Sequence, residues 1–173
     1  SFLIKVFDVL VEESKVKLKR ELTYEEKKKL MLNCIHGVDL DERACDITKL
    51  NLSLKLATRR EKLPELYNNI QNGNSLIDDP EIAGDKAFKW EEKFPFKFDV
   101  IVGNPPYVNS KQIPKNEREY FWKTYCSVLM MDLDLYEIFT YKCINNLLKK
   151  KGYFGFITPD SYFVNQSFEK FRN

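Results

Sequence analysis

The run Phe98-Asp99-Val100-Ile101-Val102-Gly103-Asn104-Pro105-Pro106-Tyr107 constrains this chain more than any other stretch. Val100, Ile101 and Val102 are β-branched and apolar without alternation, the pattern of a parallel strand covered on both faces. Gly103 ends the run. Pro105 and Pro106 remove two backbone donors and fix two φ angles at about −65°, so they hold the Asn104 amide and the Tyr107 ring in a set relation. A stiff corner at the carboxyl end of a parallel strand lies where open α/β sheets bind their ligands.

The chemistry of that corner suits an amine on a flat ring. The Asn104 side-chain oxygen and the backbone carbonyl of Asn104 or Pro105 are acceptors able to take both hydrogens of an exocyclic amine, and Tyr107 offers a face for stacking. Such an amine is a poor nucleophile because its lone pair is delocalised into the ring. Two aligned acceptors favour the more tetrahedral nitrogen, a preference that grows toward the transition state of attack on an electrophilic carbon. The plainer reading of the same residues is a Pro-Pro turn that closes a strand over a packed Tyr. Asn104 to Tyr107 resembles the NPPY motif of amino-group methyltransferases that use S-adenosylmethionine.

Size and composition fit one globular domain. The 173 residues are 43% hydrophobic and 14% aromatic, ample for a core. Lys and Arg number 28 against 26 acidic residues, so the net charge of +2 neither requires nor excludes a nucleic-acid partner. No apolar run approaches the roughly 18 residues of a membrane span, and no signal peptide opens the chain, so a cytoplasmic location without membrane contact is expected. Cys34, Cys45, Cys126 and Cys143 show no C-x-x-C pair and His36 is the one histidine, so the pattern indicates reduced core thiols, a structural His and no metal site.

Along the chain, Leu3, Val6, Phe7 and Leu10 share one helical face, and Thr23 with Glu26 has the spacing of a capping box. Cys34 to Asp39 reads as a short buried strand ending in an acid. A helix follows from Asp41, its N-cap, to about Arg59, with Ile47, Leu50, Leu54 and Ala57 as the inner stripe. A carboxylate at a strand tip such as Asp39 can accept from both hydroxyls of a ribose. Leu66 to Asn72 allows another strand, residues 78–97 read as a surface insertion, and the segment from Tyr107 to Asn116 reads as a mobile flap. Helical patterns cover Glu117 to Met130 and Asp134 to Lys149, the latter with Leu135, Ile138, Phe139, Cys143 and Leu147 on one face. A buried strand is expected at Gly152 to Thr158, and a further helix from Ser161 to Arg172.

In this order the elements resemble the adenine-specific (N6) DNA methyltransferases of bacterial restriction-modification systems, especially the type IIG enzymes in which one chain methylates and cleaves. Gly37-Val38-Asp39-Leu40-Asp41 is similar to the family's second motif, which implies Asp39 on the ribose hydroxyls of S-adenosylmethionine and Leu40 against its adenine. Gly73-Asn74-Ser75-Leu76 is similar to the third, where Asn74 stands in place of the usual Asp and, with Ser75, would face the cofactor's adenine amine. Asn104, Pro105, Pro106 and Tyr107 match the catalytic motif, with Asn104 also at the cofactor's edge. Asp134-Leu135-Tyr136 and the strand running into Pro159-Asp160-Ser161 match later structural motifs.

The resemblance implies a Rossmann-like class I S-adenosylmethionine-dependent fold, incomplete in residues 1–173: the first strand with its glycine-rich loop and the C-terminal strands are expected to be missing. It implies that two inner strand edges lack a partner and that the isolated piece binds cofactor poorly and is inactive. The implied partners are double-stranded DNA with a flipped adenine and the rest of a parent chain, including a target-recognition domain and a nuclease domain whose presence the residues leave open. Two alternatives stay open: a methyltransferase acting on a protein glutamine or an rRNA guanine, and a non-catalytic methyltransferase-like domain for DNA binding or assembly.

Overall fold

The computed structural model describes residues 2–58, 61–125 and 134–159. The chain divides into two compact units, Ser1–Ser75 and Leu76–Asn173.

In the first unit, helix α1 (Phe2–Leu18) turns the predicted face inward: Phe7 is buried, with Leu3, Val6 and Leu10 packed against the same core. It ends at Lys19, whose positive φ of 54° breaks the helical run. Helix α2 (Tyr24–Cys34) carries the capping box the sequence predicts, since the Thr23 hydroxyl accepts from Glu26 N–H while the Glu26 carboxylate accepts from Thr23 N–H. Strand β1 (Gly37–Asp39) is shorter than expected because Cys34 closes α2 and lies exposed rather than in the core. A Cβ at Gly37 would sit 2.7 Å from the Leu3 side chain, so glycine lets α1 approach the strand closely.

Helix α3 (Glu42–Leu56) starts at the predicted cap, where the Asp41 carboxylate accepts from Arg43 N–H. Its inward face corrects the sequence reading. Cys45, Leu52, Ser53 and Leu56 are buried, whereas Ile47, Leu50 and Leu54 are 59%, 57% and 53% exposed and Ala57 is exposed too. Leu50 and Leu52 lie about 200° apart around the helix at 100° per residue, so the two apolar stripes take opposite sides. The core, built from Phe7, Met31, Ile35, Leu66 and Ile70, took the other one.

Strand β2 (Ile70–Asn72) pairs with β1 in parallel, Gly37 with Ile70 and Asp39 with Asn72. Asn69 anchors the start of that pair. Its buried amide donates to the carbonyls of Leu32 and Ile35 at 2.7 and 2.9 Å, and its own carbonyl accepts from Gly37 N–H at 2.9 Å.

The second unit opens with residues 78–97, which fold as α4 (Pro80–Ala83), a 3₁₀ turn and α5 (Trp90–Lys93). Phe88, Trp90, Phe94, Phe96 and Phe98 pack edge-on or tilted against one another, so aromatic burial organises the segment. Strand β3 (Phe98–Gly103) pairs in parallel with β4 (Leu148–Phe156), and Val100 lies opposite Tyr153. These strands are not covered on both faces, contrary to the sequence reading: Val100 is 52% and Tyr153 76% exposed.

The segment after Tyr107 is held rather than loose, because Ile113 is buried in the core and Gln112 N–H donates to the Asn109 carbonyl at 2.9 Å. Helix α6 (Lys115–Tyr125) and helix α7 (Leu135–Lys142) supply Phe121, Tyr125 and Ile138 to the same core. A π-turn over Cys143–Leu147 runs directly into β4, and Cys143 and Leu147 are buried as the periodicity predicts. The expected continuation of α6 to Met130 with Cys126, and the helix from Ser161 with Asp160 before it, fall outside the described residues. Among the described residues the two sheets are each two-stranded and parallel, in keeping with the α/β class. No helix among the described residues is long and apolar enough to cross a membrane.

Candidate functional site

The Asn-Pro-Pro-Tyr corner lies at the carboxyl end of β3, as predicted. Gly103 closes the strand against an aromatic ring, since a Cβ there would approach Phe156 to 3.0 Å. Pro105 is buried and anchors the loop, which leaves Asn104, Pro106 and Tyr107 exposed. The end of β4 secures both sides of the corner. Ile157 N–H donates to the Gly103 carbonyl at 3.1 Å, and the Tyr107 hydroxyl reaches the Ile157 carbonyl at 2.8 Å. The same hydroxyl reaches the Asn104 side-chain oxygen at 2.9 Å.

A second element supports the ring. Tyr107 packs edge-on against buried Tyr136 of α7, with centroids 6.2 Å apart at 87°. Leu135 N–H donates to the Val108 carbonyl at 3.0 Å, and the Asn109 amide donates to the Asp134 carboxylate at 3.1 Å. Asp134-Leu135-Tyr136 therefore braces the loop through backbone, carboxylate and ring. Tyr107 as a residue is 50% exposed, so it is open to a planar partner.

In the first unit, Asp39, Leu40 and the residues after β2 converge at the carboxyl end of the β1–β2 pair. The Asp39 carbonyl accepts from Gly73 N–H at 3.0 Å and from the Asn72 amide at 3.0 Å, and the Leu40 carbonyl takes the other Asn72 amide hydrogen at 2.9 Å. The Asp39 carboxylate accepts from Asp41 N–H at 2.9 Å through Oδ1. It is exposed beside Leu40, itself 58% exposed, so an acceptor of charge −1 and an apolar side chain stand together at the tip. Asn74 and Ser75 follow Gly73 directly and are half-buried. This donor and acceptor set fits a nucleoside: a carboxylate for paired hydroxyls and an aliphatic surface for a base.

The sequence-predicted residues thus form two groups, Asp39, Leu40, Asn74 and Ser75 in one unit and Asn104 to Tyr107 in the other. The half-buried His36 imidazole has its pKa pushed down by burial, in keeping with the structural role read from the sequence. No group of three or more His, Cys, Asp or Glu side chains able to hold a metal occurs among the described residues. Sequence reasoning missed Asn72 and Ile157, and it treated Asp134 and Tyr136 as marks of fold only. For Asn72 the available signal was a polar residue at the last position of a strand, beside the acid of the neighbouring strand tip.

A parallel α/β chain thus carries a carboxylate at one strand tip and an amide acceptor beside a tyrosine at another. The chain belongs to the Eco57I restriction-modification methylase family, whose model matches residues 33–173. It is 33% identical to the type II restriction enzyme and methyltransferase RM.Eco57I of Escherichia coli, over 96% of this chain and 19% of that protein. It is 30% identical to the type II methyltransferase M.BstVI of Geobacillus stearothermophilus, over 81% of this chain and 24% of the relative. A shorter match, 37% identical, covers 44% of this chain and 18% of the modification methylase CviBIII of Paramecium bursaria Chlorella virus NC1A. The matched stretches span about a fifth to a quarter of the length of these curated relatives.

Proposed function

We propose that this chain is part of an enzyme that moves the methyl group of S-adenosylmethionine to the exocyclic N6 amine of an adenine in double-stranded DNA, within a bacterial restriction-modification system in the cytoplasm. The observation that carries the reading is the Asn104–Tyr107 corner, where an amide oxygen, a rigid proline backbone and a half-exposed aromatic ring meet at a strand end.

The residues divide the work. Tyr107 stacks on an adenine that has left the helix, which offsets part of the few kcal/mol that unstacking costs. The Asn104 side-chain oxygen and the Pro105 carbonyl accept the two amine hydrogens, draw electron density onto nitrogen and aim its lone pair. Pro106 holds the ring and the amide at a fixed spacing. Asp39 accepts from the ribose hydroxyls of the cofactor, Leu40 lies against its adenine, and Asn74 and Ser75 meet that base's polar edge. When bound, the cofactor would supply an electrophilic methyl on sulfur: the methyl–sulfur bond would break as the N6–methyl bond forms, the sulfur leaving as a neutral thioether with that electron pair and the methylated amine giving up one proton to solvent, so neither a covalent enzyme intermediate nor a metal is required.

The test uses the longest natural chain that contains this sequence, with tritiated methyl transfer followed to duplex DNA, a release factor and ribosomal RNA in parallel. Transfer to DNA alone is expected, and Asn104→Ala should abolish it while keeping most of the cofactor binding that Asp39 and Leu40 carry. Retained methylation within about threefold of the parent chain would remove Asn104 from the amine-activating role, a loss expected to run to several orders of magnitude for such a group. Transfer to release factor or ribosomal RNA in place of DNA would reassign the substrate.

A further inference from the structure

We infer that Asn72 is a positioning residue of the cofactor grip, acting through the Asp39–Leu40 tip. The inference rests on the reading of Asp39 and Leu40 given above. Strand β1 is three residues long, and its last residue carries the carboxylate on which that grip depends. So short a strand fixes its own tip poorly, because the turn that follows leaves the ladder immediately.

The Asn72 amide supplies what the ladder lacks. Asn72 is the register partner of Asp39, and both hydrogens of its amide nitrogen are used, one on the Asp39 carbonyl at 3.0 Å and one on the Leu40 carbonyl at 2.9 Å. Two consecutive peptide planes are thereby fixed from a single side chain. These planes flank the Leu40 Cα, and the first of them also follows the Asp39 Cα, so they bear on where both side chains point. Gly73 N–H adds a backbone donor to the Asp39 carbonyl, so the end of β2 holds the tip from two adjoining residues.

The residue just before β2, Asn69, separates this role from simple architecture. Asn69 makes an equivalent two-carbonyl clamp on Leu32 and Ile35 where α2 leads into β1, at the end away from the tip. Asn69 is buried and ties elements together, while Asn72 is only part-buried and its two acceptors belong to residues assigned to the cofactor.

The experiment titrates S-adenosylmethionine calorimetrically into the longest natural chain containing this sequence, as parent, Asn72→Asp, Asn72→Ala, Asp39→Ala and the Asp39→Ala/Asn72→Ala double variant. Asn72→Asp keeps the shape but turns the donor into an acceptor facing two carbonyls. It should weaken binding about tenfold or more, the scale of two lost hydrogen bonds, while duplex DNA affinity stays within twofold. Asn72→Ala should weaken binding in the parent and weaken it by a clearly smaller factor in the Asp39→Ala background, where only its hold on Leu40 is left to lose, because residues that act through one another are not additive. Full additivity in that cycle, or parent-like cofactor affinity in a folded Asn72→Asp or Asn72→Ala chain, would overturn the inference. If Asn72→Asp does not fold, the alanine cycle decides alone. A parent chain that binds no S-adenosylmethionine would overturn the assignment of Asp39 and Leu40 along with it.

Discussion

The Tyr107 hydroxyl and the Asn104 side-chain oxygen lie 2.9 Å apart within the corner that the two residues bound, and the Ile157 carbonyl lies 2.8 Å from the same hydroxyl. A phenol has one hydrogen to give. Two acceptors compete for it, so whichever is not served remains available. In the proposed reaction an arriving amine takes up the Asn104 oxygen and the hydroxyl turns to Ile157. The backbone of the corner need not move.

Tyr107→Phe keeps the ring and its edge-on contact with Tyr136 but removes both hydroxyl contacts. Single-turnover methyl transfer should fall by about tenfold or less, the scale of a net hydrogen bond or two. Tyr107→Ala also removes the stacking face, worth about 1–3 kcal/mol per base, and should fall roughly ten- to hundredfold further. Equal rates for the two variants would show that the hydroxyl, not the ring, carries the effect.

The Glu26 carboxylate is drawn down to about 2, first by its paired contacts with the Arg20 guanidinium at 2.6 and 2.8 Å and next by Thr23 N–H. A carboxylate whose folded pKa lies below its unfolded value stabilises the fold fully above the unfolded value, near 4.5, and loses that contribution as pH falls toward 2. Melting temperature should therefore decline between pH 5 and about 2.5, and Glu26→Gln should flatten that slope. The pair is at the surface, so added salt should shrink the difference.

The two apolar stripes of α3 make a direct test of which side faces the core. Leu52 is fully buried, so Leu52→Ala should cost about 2–5 kcal/mol in urea unfolding. Leu50 is 57% exposed, and Leu50→Ala should stay within about 0.5 kcal/mol of the parent. The reverse order would restore the stripe that periodicity alone selects.

Thiol reactivity should follow burial. Burial pushes the Cys143 thiol up to about 12 and raises that of Cys45, so both should resist alkylation in the folded chain at pH 8. Exposed Cys34 should react first of the three. Peptide mapping after brief iodoacetamide treatment reads the order.

Features set by near neighbours in the chain were legible in the sequence. The Thr23 and Glu26 capping box, the Asp41 cap, the inner face of α1 and the strand that ends at Gly103 all depend on residues within a turn or two. The α3 stripe was not legible, because both of its sides are apolar and only packing against Phe7, Leu66 and Ile70 chooses between them. Val100 to Val102 predicted a strand correctly, but run composition alone could not show that Val100 stays open on its face. The braces of the candidate site were hidden for a related reason. Asn72 with Leu40, Asn109 with Asp134 and Tyr107 with Ile157 are separated by 32, 25 and 50 positions.

The π-turn after α7 leaves no slack before β4: the Leu148 N–H reaches back to the Cys143 carbonyl, and Leu148 is already paired with Phe98. Tyr136, beside the Tyr107 ring, and Ile157, beneath its hydroxyl, are thus joined by one continuous run through the π-turn and β4, whose pairing with β3 slips between Leu148 and Tyr153. A residue inserted in the π-turn itself would find no loop there to absorb it, and only the irregular stretch between Leu148 and Tyr153 stands between that displacement and the aromatic lip.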